Sequence, residues 1–290
     1  MKQKTRDGVV MEQPNGQDRV LSVLYGKAWG RAIIKPFTAR WPSRFMGWFL
    51  STRASCVFIK RFVRKNNIDM TQFADVKYRS YNAFFTRQIK DGARVIDTEP
   101  AHLISPCDSK LTVIPVTADG RFSIKHTEYT VESLLKNAQE AAAYEGGTVL
   151  IFRLTVDDYH RYCYVADGEK GEAVKIPGRL HTVNPIANDY FPIYKENTRE
   201  YCPLETEAFG RILMMEVGAL MVGKIVNHPV DAPVCRGQEK GYFCFGGSTV
   251  VVLLKKGVAL LDDDILENSR EGYETVVKYG EKIGISQIAS

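Results

Sequence analysis

Residues 19 to 68 contain no aspartate or glutamate, although the chain holds 34 acidic residues. The same stretch carries Arg19, Lys27, Arg31, Lys35, Arg40, Arg44, Arg53, Lys60, Arg61, Arg64 and Lys65, a charge of +11 that leaves −6 for the rest of a chain of net charge +5. Such a cationic block calls for an anionic partner, nucleic acid or a membrane surface. No nucleic-acid-binding motif occurs, and Trp29, Trp41 and Trp48 all lie inside the block, which favours lipid. Long apolar runs are also missing. Nothing reaches the roughly 20 residues of a spanning helix, and Arg44 and Arg53 interrupt the best candidate. Cys56, Cys107, Cys163, Cys202, Cys235 and Cys244 form no Cys-x-x-Cys pair and no zinc spacing, so they read as reduced thiols of a cytoplasmic protein and no metal site is expected. The opening residues, with Asp7, Glu12 and Asp18 ahead of any apolar run, do not form a secretory signal. Internal repeats and low-complexity segments are absent.

From Val20 to Lys65 the apolar residues recur at helical spacing, as in Val20, Val23 and Leu24, then Phe45, Trp48 and Phe49, then Val57, Phe58 and Phe62. Pro36 and Pro42 divide this region into two or three helices. Aromatics interleaved with cations suit the headgroup zone of a bilayer. The competing reading is a helical cap that packs its aromatics on the following domain and solvates its charges. A helix is expected to stop at Gly92, and near residue 100 the texture changes to strands: 111–116, 148–154, 212–217 and 257–261 are β-prone. Val131 to Tyr144 reads as one helix, and the residues beyond Glu267 as polar with a last strand or turn. The expected fold class is α+β, an N-terminal amphipathic helical region followed by a predominantly β domain. Residues 1–18 read as a flexible leader, 19–99 as the basic helical region and 100–290 as the domain that holds the chemistry.

That chemistry centres on residues 241–254, two apolar strands meeting at Gly246-Gly247-Ser248-Thr249. A Gly-Gly pair between strands is in itself an ordinary turn or bulge signal. A serine after a glycine can also attack the preceding carbonyl, because glycine leaves the approach open and takes strained angles. The peptide becomes an ester; loss of the serine α-proton then eliminates dehydroalanine, which hydrolyses to a pyruvoyl group heading a new chain. Such a carbonyl forms an imine with an amine substrate and accepts electrons when a bond at its α-carbon breaks.

The block from Gln238 to Leu254, with 217–223 upstream and Tyr81-Asn82-Ala83-Phe84-Phe85-Thr86-Arg87 far upstream, resembles the phosphatidylserine decarboxylase family over most of the chain from Tyr78 onward. The resemblance implies self-cleavage between Gly247 and Ser248, a β chain of 1–247 and an α chain of 248–290 paired as a heterodimer, and a pyruvoyl cofactor derived from Ser248. It implies phosphatidylserine as substrate and phosphatidylethanolamine as product, contact with anionic membrane lipid, no nucleic acid, and a peripheral position on the cytoplasmic face of the cell membrane. A homo-oligomer of the heterodimer stays open. Two alternatives also stay open: a pyruvoyl decarboxylase of a soluble amino acid, and an uncut relative that binds lipid. A serine hydrolase fits less well, because no Gly-x-Ser-x-Gly elbow surrounds Ser248.

Proton transfer needs a group that titrates near neutrality, and the chain has five histidines. His102 and His126 read as surface residues and His228 as structural. His160, in Asp157-Asp158-Tyr159-His160-Arg161, follows a core strand and matches the family's Asp-Tyr-His-Arg. Related chains carry a second histidine three residues on, the base of an Asp-His-Ser triad, where this chain has Cys163. His181 is the compensating candidate, so His160 and His181 are expected to share the acid and base work. A Cys163 thiolate is the weaker choice, since a thiol of pKa about 8.5 is mostly protonated at pH 7. Asp108 matches the triad aspartate that would orient the imidazole. Asp157 and Asp158, read as neighbours along a strand, would face opposite ways. Arg199 is read as a weak phosphate candidate.

Overall fold

The computed structural model describes residues 2–12, 21, 23–124, 126–188, 190–219, 224–230, 233–246 and 248–288. Two short strands, β1 (Lys2–Lys4) and β2 (Val10–Glu12), open it. Helices α1 (Ala28–Ile34), α2 (Arg40–Leu50), α3 (Val57–Lys65) and α4 (Tyr81–Phe85) follow. The main strands are then β3 (Ser109–Pro115), β4 (Thr148–Leu154), β5 (Arg161–Cys163), β6 (Arg199–Thr206), β7 (Gly210–Val217), β8 (Glu239–Phe243), β9 (Ser248–Leu254) and β10 (Glu274–Val277). The result is mixed α+β and rich in sheet.

Among the described residues a ten-stranded sheet runs from Val174–Ile176 through β6, β7, β9, β4, β3, β10 and β1 to β2, with Glu169–Lys170 also paired to β6. Its centre is β9, whose Ser-Thr-Val-Val-Val-Leu-Leu is buried at every position. A β-branched run with no polar alternation must be covered on both faces. Side chains alternate along a strand, so Val250, Val252 and Leu254 enter one core with Phe152, Met214, Tyr162 and Phe243, while Val251 and Leu253 enter another with Ile151, Met215, Tyr25 and Tyr194. The first core is roofed by a small sheet of Ile225–Asn227, β8 and β5. The register sets Ser248 opposite Leu154 of β4, and Thr249 between Val217 of β7 and Arg153 of β4.

Several expectations change. The start of the chain is no loose leader: β1 lies parallel on β10, Gln3 is buried, and Arg6 reaches Asp262 at 2.7 Å and Asp264 at 2.9 Å. The rest of that stretch, 13–18, lies outside the described residues. The helix expected over 131–144 is two, Val131–Leu135 and Ala138–Ala142, because Lys136 takes φ 54° and Asn137 caps a fresh start by accepting from the Glu140 amide. The helix expected to stop at Gly92 already ends at Phe85, and Gly92 (φ 78°) serves a separate turn. A helix over Asp263–Arg270 was not legible, since only Ile265 and Asn268 of its residues are buried.

The helical block has two sides. Leu50 of α2 is buried with Tyr81, Phe84 and Phe85 of α4, and Met46, Phe49, Phe62 and Phe245 pack against them. The opposite side leaves Trp41 67%, Trp48 65% and Val57 72% exposed, with Phe45 and Phe58 beside them. The block docks on the sheet domain through Tyr25, edge-on to Phe191 at 5.9 Å, and through Thr38, whose carbonyl accepts from the Leu180 amide.

Candidate functional site

The link between β8 and β9 holds the junction singled out from the sequence. Gly247 lies outside the described residues, as do 220–223. Gly246 has φ 127°, a conformation that a side chain would strain. The Phe245 amide donates to Asn82 Oδ1 at 3.3 Å, and Asn82 Nδ2 donates to Ser51 Oγ at 2.8 Å and the Gly47 carbonyl at 3.2 Å. One asparagine thus ties the junction to α2. The Phe245 ring lies edge-on to Tyr81 and Phe85, at 5.1 and 5.2 Å.

Ser248 opens β9 and shares the face of Val250, toward β5 and β8. It is fully buried, and among the described residues its hydroxyl has no hydrogen-bond partner. Burying an unpaired hydroxyl costs about 1–3 kcal/mol.

His160 immediately precedes β5, and its carbonyl accepts from the Phe243 amide of β8 at 2.9 Å, so it stands on the same side of the sheet as Ser248. Its Nδ1 lies 2.9 Å from the Asp158 carbonyl. A carbonyl only accepts, so Nδ1 carries the proton and Nε2 holds a free lone pair. Among the described residues Nε2 is buried and makes no well-formed hydrogen bond, the Phe85 ring covers the imidazole at 4.2 Å, and a backbone contact with Gly246 works to favour its protonated form. Burial, helped by the charge of Arg87, pushes the His160 pKa down to about 3. The ring is therefore neutral at physiological pH, and any proton it takes up is readily passed on.

Asp157 and Asp158 fall in a turn after β4 rather than along a strand. Asp158 grips Lys110 at 2.6 Å and the Thr155 amide at 2.7 Å, which fixes the backbone that orients His160. Asp108 is not at the imidazole. It holds Arg94 at 3.0 and 2.5 Å and accepts from the Tyr279 amide at 2.9 Å. Burial works to raise its pKa, but Arg94, Lys278 and the amide outweigh it and hold the carboxyl below its ordinary value. The carboxylate of Asp108 makes no hydrogen bond to His160, whose Nδ1 faces the Asp158 carbonyl instead. Cys163 stands where the resemblance places a second imidazole; burial pushes its thiol up to about 12, so it is no base at neutral pH.

His181 is elsewhere. It stacks on Phe191 at 4.6 Å and lies 6.4 Å from Tyr25, with the core on the opposite face of the sheet. Asn197 holds its backbone, accepting from the His181 amide and donating to the His181 and Gly218 carbonyls. The imidazole lines a groove of about 610 Å³ with Arg31, Lys35, Arg179 and Glu196, and burial lowers its pKa to about 4. Among the described residues no hydrogen bond or ring contact joins His160 to His181.

The remaining candidates lie apart from this junction or are engaged by other groups. Arg199 is buried and donates to the carbonyls of Ser133, Leu134, Lys195 and Asn197. His102 pairs with Asp97 and His228 with Glu239, and His126 is exposed. Sequence reasoning missed a buried network on the Ser248 face: Lys240 of β8 meets Glu216 of β7 at 2.8 Å, with Asn227 bridging both to Glu200. It also missed Arg87, 2% exposed, whose guanidinium lies over Phe73 at 4.2 Å and Phe84 at 4.9 Å with no hydrogen bond at any of its three nitrogens. The signal was an arginine closing an aromatic run, Phe84-Phe85-Thr86-Arg87. Among the described residues no group of three or more His, Cys, Asp and Glu is arranged to hold a metal, and no helix is long and apolar enough to cross a membrane.

Fold and site together define an α+β protein whose central sheet buries an unpartnered serine at the end of one strand and a neutral histidine on the same face. The sequence profile of phosphatidylserine decarboxylase matches residues 81–285. The chain is 47% identical over 271 residues to phosphatidylserine decarboxylase proenzyme 2 of Clostridium acetobutylicum, covering 93% of this chain and 92% of that one. It is 38% identical over 272 residues to a phosphatidylserine decarboxylase proenzyme of Ruminiclostridium cellulolyticum (92% and 91% covered) and 39% over 266 residues to one of Fusobacterium nucleatum (90% and 87%). The chain belongs to the phosphatidylserine decarboxylase family.

Proposed function

We propose that this chain is a phosphatidylserine decarboxylase proenzyme that cuts itself between Gly247 and Ser248 and works at a membrane surface. As a carboxy-lyase of that family it removes carbon dioxide from phosphatidylserine to give phosphatidylethanolamine. The observation that carries the self-cleavage is the Ser248 hydroxyl, fully buried without a partner two residues after a positive-φ glycine and on the face that His160 occupies.

Serinolysis needs the Ser248 Oγ–H proton removed as oxygen attacks the Gly247 carbonyl carbon and the peptide nitrogen leaves. It then needs the Ser248 α-proton removed, so that the Gly247 carboxylate departs and dehydroalanine remains; water converts this to a pyruvoyl group with loss of ammonia. His160 Nε2 is the lone pair suited to both removals, since Nδ1 is already committed to the Asp158 carbonyl. The residues fit the group: Ser248 supplies its carbon skeleton, the unpartnered hydroxyl is free to attack and leaves with the Gly247 carboxylate, and the apolar ring of Phe85 limits water around the adjacent imidazole. A pyruvoyl at position 248 supplies an electron sink for the loss of carbon dioxide from a serine head group. His160 returns a proton to the carbon that has lost its carboxylate. Asp108, held ionised by Arg94, keeps the turn at Tyr279 in place. His181 enters this scheme only if it reaches Ser248 from the other side of the sheet.

After the cut, residues 248–290 stay with 1–247 as a heterodimer because β9 is bonded on both edges, to β7 and to β4. Residues 19–99 serve as a membrane-associating layer on the cytoplasmic face: exposed Trp41, Phe45 and Trp48 enter the lipid boundary while the surrounding cations meet anionic headgroups. A soluble amino acid as substrate would leave those aromatics without a purpose. Intact mass of the protein and of Ser248→Ala tests the reading. The parent should give two fragments, the smaller lacking an N-terminal amine, and the variant one chain of 32.7 kDa. A parent that stays whole while folded overturns it.

A further inference from the structure

Resting on the decarboxylase reading, we infer that Arg87 is the head-group anchor, a guanidinium held without a counter-charge so that an oxyanion of the phosphoserine head group can complete it. Arg87 follows α4 and is 2% exposed, yet among the described residues Nε, Nη1 and Nη2 make no hydrogen bond. Phe73 and Phe84 cover it at 4.2 and 4.9 Å, so apolar rings rather than oxygens surround a fixed positive charge. The nearby carboxylate of Asp108 is already spent on Arg94. Native proteins avoid an unpaired buried charge unless something recovers the loss, and a ligand anion does so with two parallel hydrogen bonds. The position suits that role. Phe84 is packed with Phe85 and Phe245, Phe85 lies on His160, and Phe245 leads into the Ser248 junction. The outer side of the same helical layer bears Trp41 and Trp48, where lipid would arrive.

The phosphoserine head group offers two oxyanions, a phosphodiester and a carboxylate. A firm grip on the carboxylate would stabilise the ground state against its departure, whereas the phosphodiester is unchanged from substrate to product. Neutralising Arg87 also removes a positive charge that opposes an imidazolium at His160, which links head-group capture to the proton that the product needs.

The test uses the self-processed enzyme with short-chain phosphatidylserine in mixed micelles, comparing the parent with Arg87→Met and Arg87→Lys. For Arg87→Met the KM should rise roughly 10- to 100-fold, the loss of charge-assisted hydrogen bonds, with a much smaller fall in kcat. Its melting temperature should hold or rise, since an unpaired buried charge has gone. Arg87→Lys should recover part of the KM, because the charge returns without the planar fork. Inhibition by phosphatidylethanolamine identifies the oxyanion: equal weakening of product and substrate assigns the phosphodiester, and weakening of substrate alone assigns the carboxylate. An unchanged KM, a lowered melting temperature with activity lost in proportion, or a stable variant that no longer processes overturns the assignment. A parent without decarboxylase activity would instead overturn the underlying reading.

Discussion

The two faces of β9 treat polar groups differently. On the Ser248 side, beside the paired Lys240, Glu216 and Asn227 network, several buried polar atoms lack partners among the described residues: Ser248 Oγ, His160 Nε2, the Tyr164 hydroxyl and one oxygen of Glu216, with the three nitrogens of Arg87 close by. On the Thr249 side most are spent on structure. Arg199 caps four carbonyls, Asn197 ties His181 to Gly218, and Asn188 joins the Tyr129 hydroxyl to the Ile124 carbonyl. The exceptions there are Thr249 and the His181 ring, whose Nε2 has only the Glu196 carboxylate at 3.4 Å. Since nearly all buried polar groups in folded proteins are paired, a cluster of unpaired ones is informative, and it gathers where His160 and Ser248 share a face. The difference rests on parity: one residue of slip along β9 would carry the serine to the side of His181.

The sharpest way to break this contrast is at His160. His160→Gln keeps a polar side chain but loses the base, and fragment formation should slow by roughly 10²–10⁴-fold, the usual contribution of a positioned acid or base. Mass spectrometry over time measures it. Cleavage at the parental rate would remove His160 from the scheme and with it the functional difference between the faces.

The next largest effect concerns stability. Lys240→Met leaves Glu216, 0% exposed and already with one oxygen unpaired, without its cation. Breaking a buried pair from one side costs about 3–5 kcal/mol, and removing the partner as well in Lys240→Met/Glu216→Leu should recover most of it. Denaturant titration of the two variants decides. A single variant as stable as the parent would mean the network beneath Ser248 holds nothing in place.

Much of this was legible from the chain alone, but unevenly. The strand at 148–154 and the pair flanking the Gly-Gly-Ser-Thr junction emerge at or near their expected positions, because runs of β-branched, aromatic and other apolar residues beside glycine leave little choice. His160 was found through its place after a core strand. What a linear reading cannot supply is the side of the sheet. His181 was expected to share the proton work of His160 as a compensating imidazole, and only the register of β9 against β4 and β7 sets the two on different faces. Asp108 was expected beside an imidazole through its match to the family's triad aspartate, and nothing in the sequence joins it to Arg94, which its carboxylate meets in the fold. Arg87 was passed over because its lack of partners is a property of the folded interior. The strand at 2–4 escaped for the converse reason: three polar residues show no pattern, and the free edge of β10 orders them.

The smallest effect, and the one that most refines the contrast, comes from His181→Phe. Phenylalanine keeps the stack on Phe191, so fragment formation and turnover should stay within about threefold of the parent if the chemistry belongs to the other face. Acid stability should change. His181 has a folded pKa of about 4 against about 6.5 when unfolded. Between those values the unfolded chain binds a proton that the folded chain refuses, so stability falls as pH drops below about 6.5 and the loss is complete below about 4. At pH 5 the penalty from this one ring is at most about 2 kcal/mol, less what the Glu196 carboxylate 3.4 Å from Nε2 returns to the imidazolium, and the phenylalanine variant should be spared it. His160, with its pKa still lower, retains its own penalty, so the acid limb should become shallower without vanishing. Unfolding midpoints at pH 5 and pH 7.5 give the comparison. If the variant instead loses cleavage or turnover while its acid limb is unchanged, His181 reaches Ser248 after all, and proton transfer is shared across the sheet.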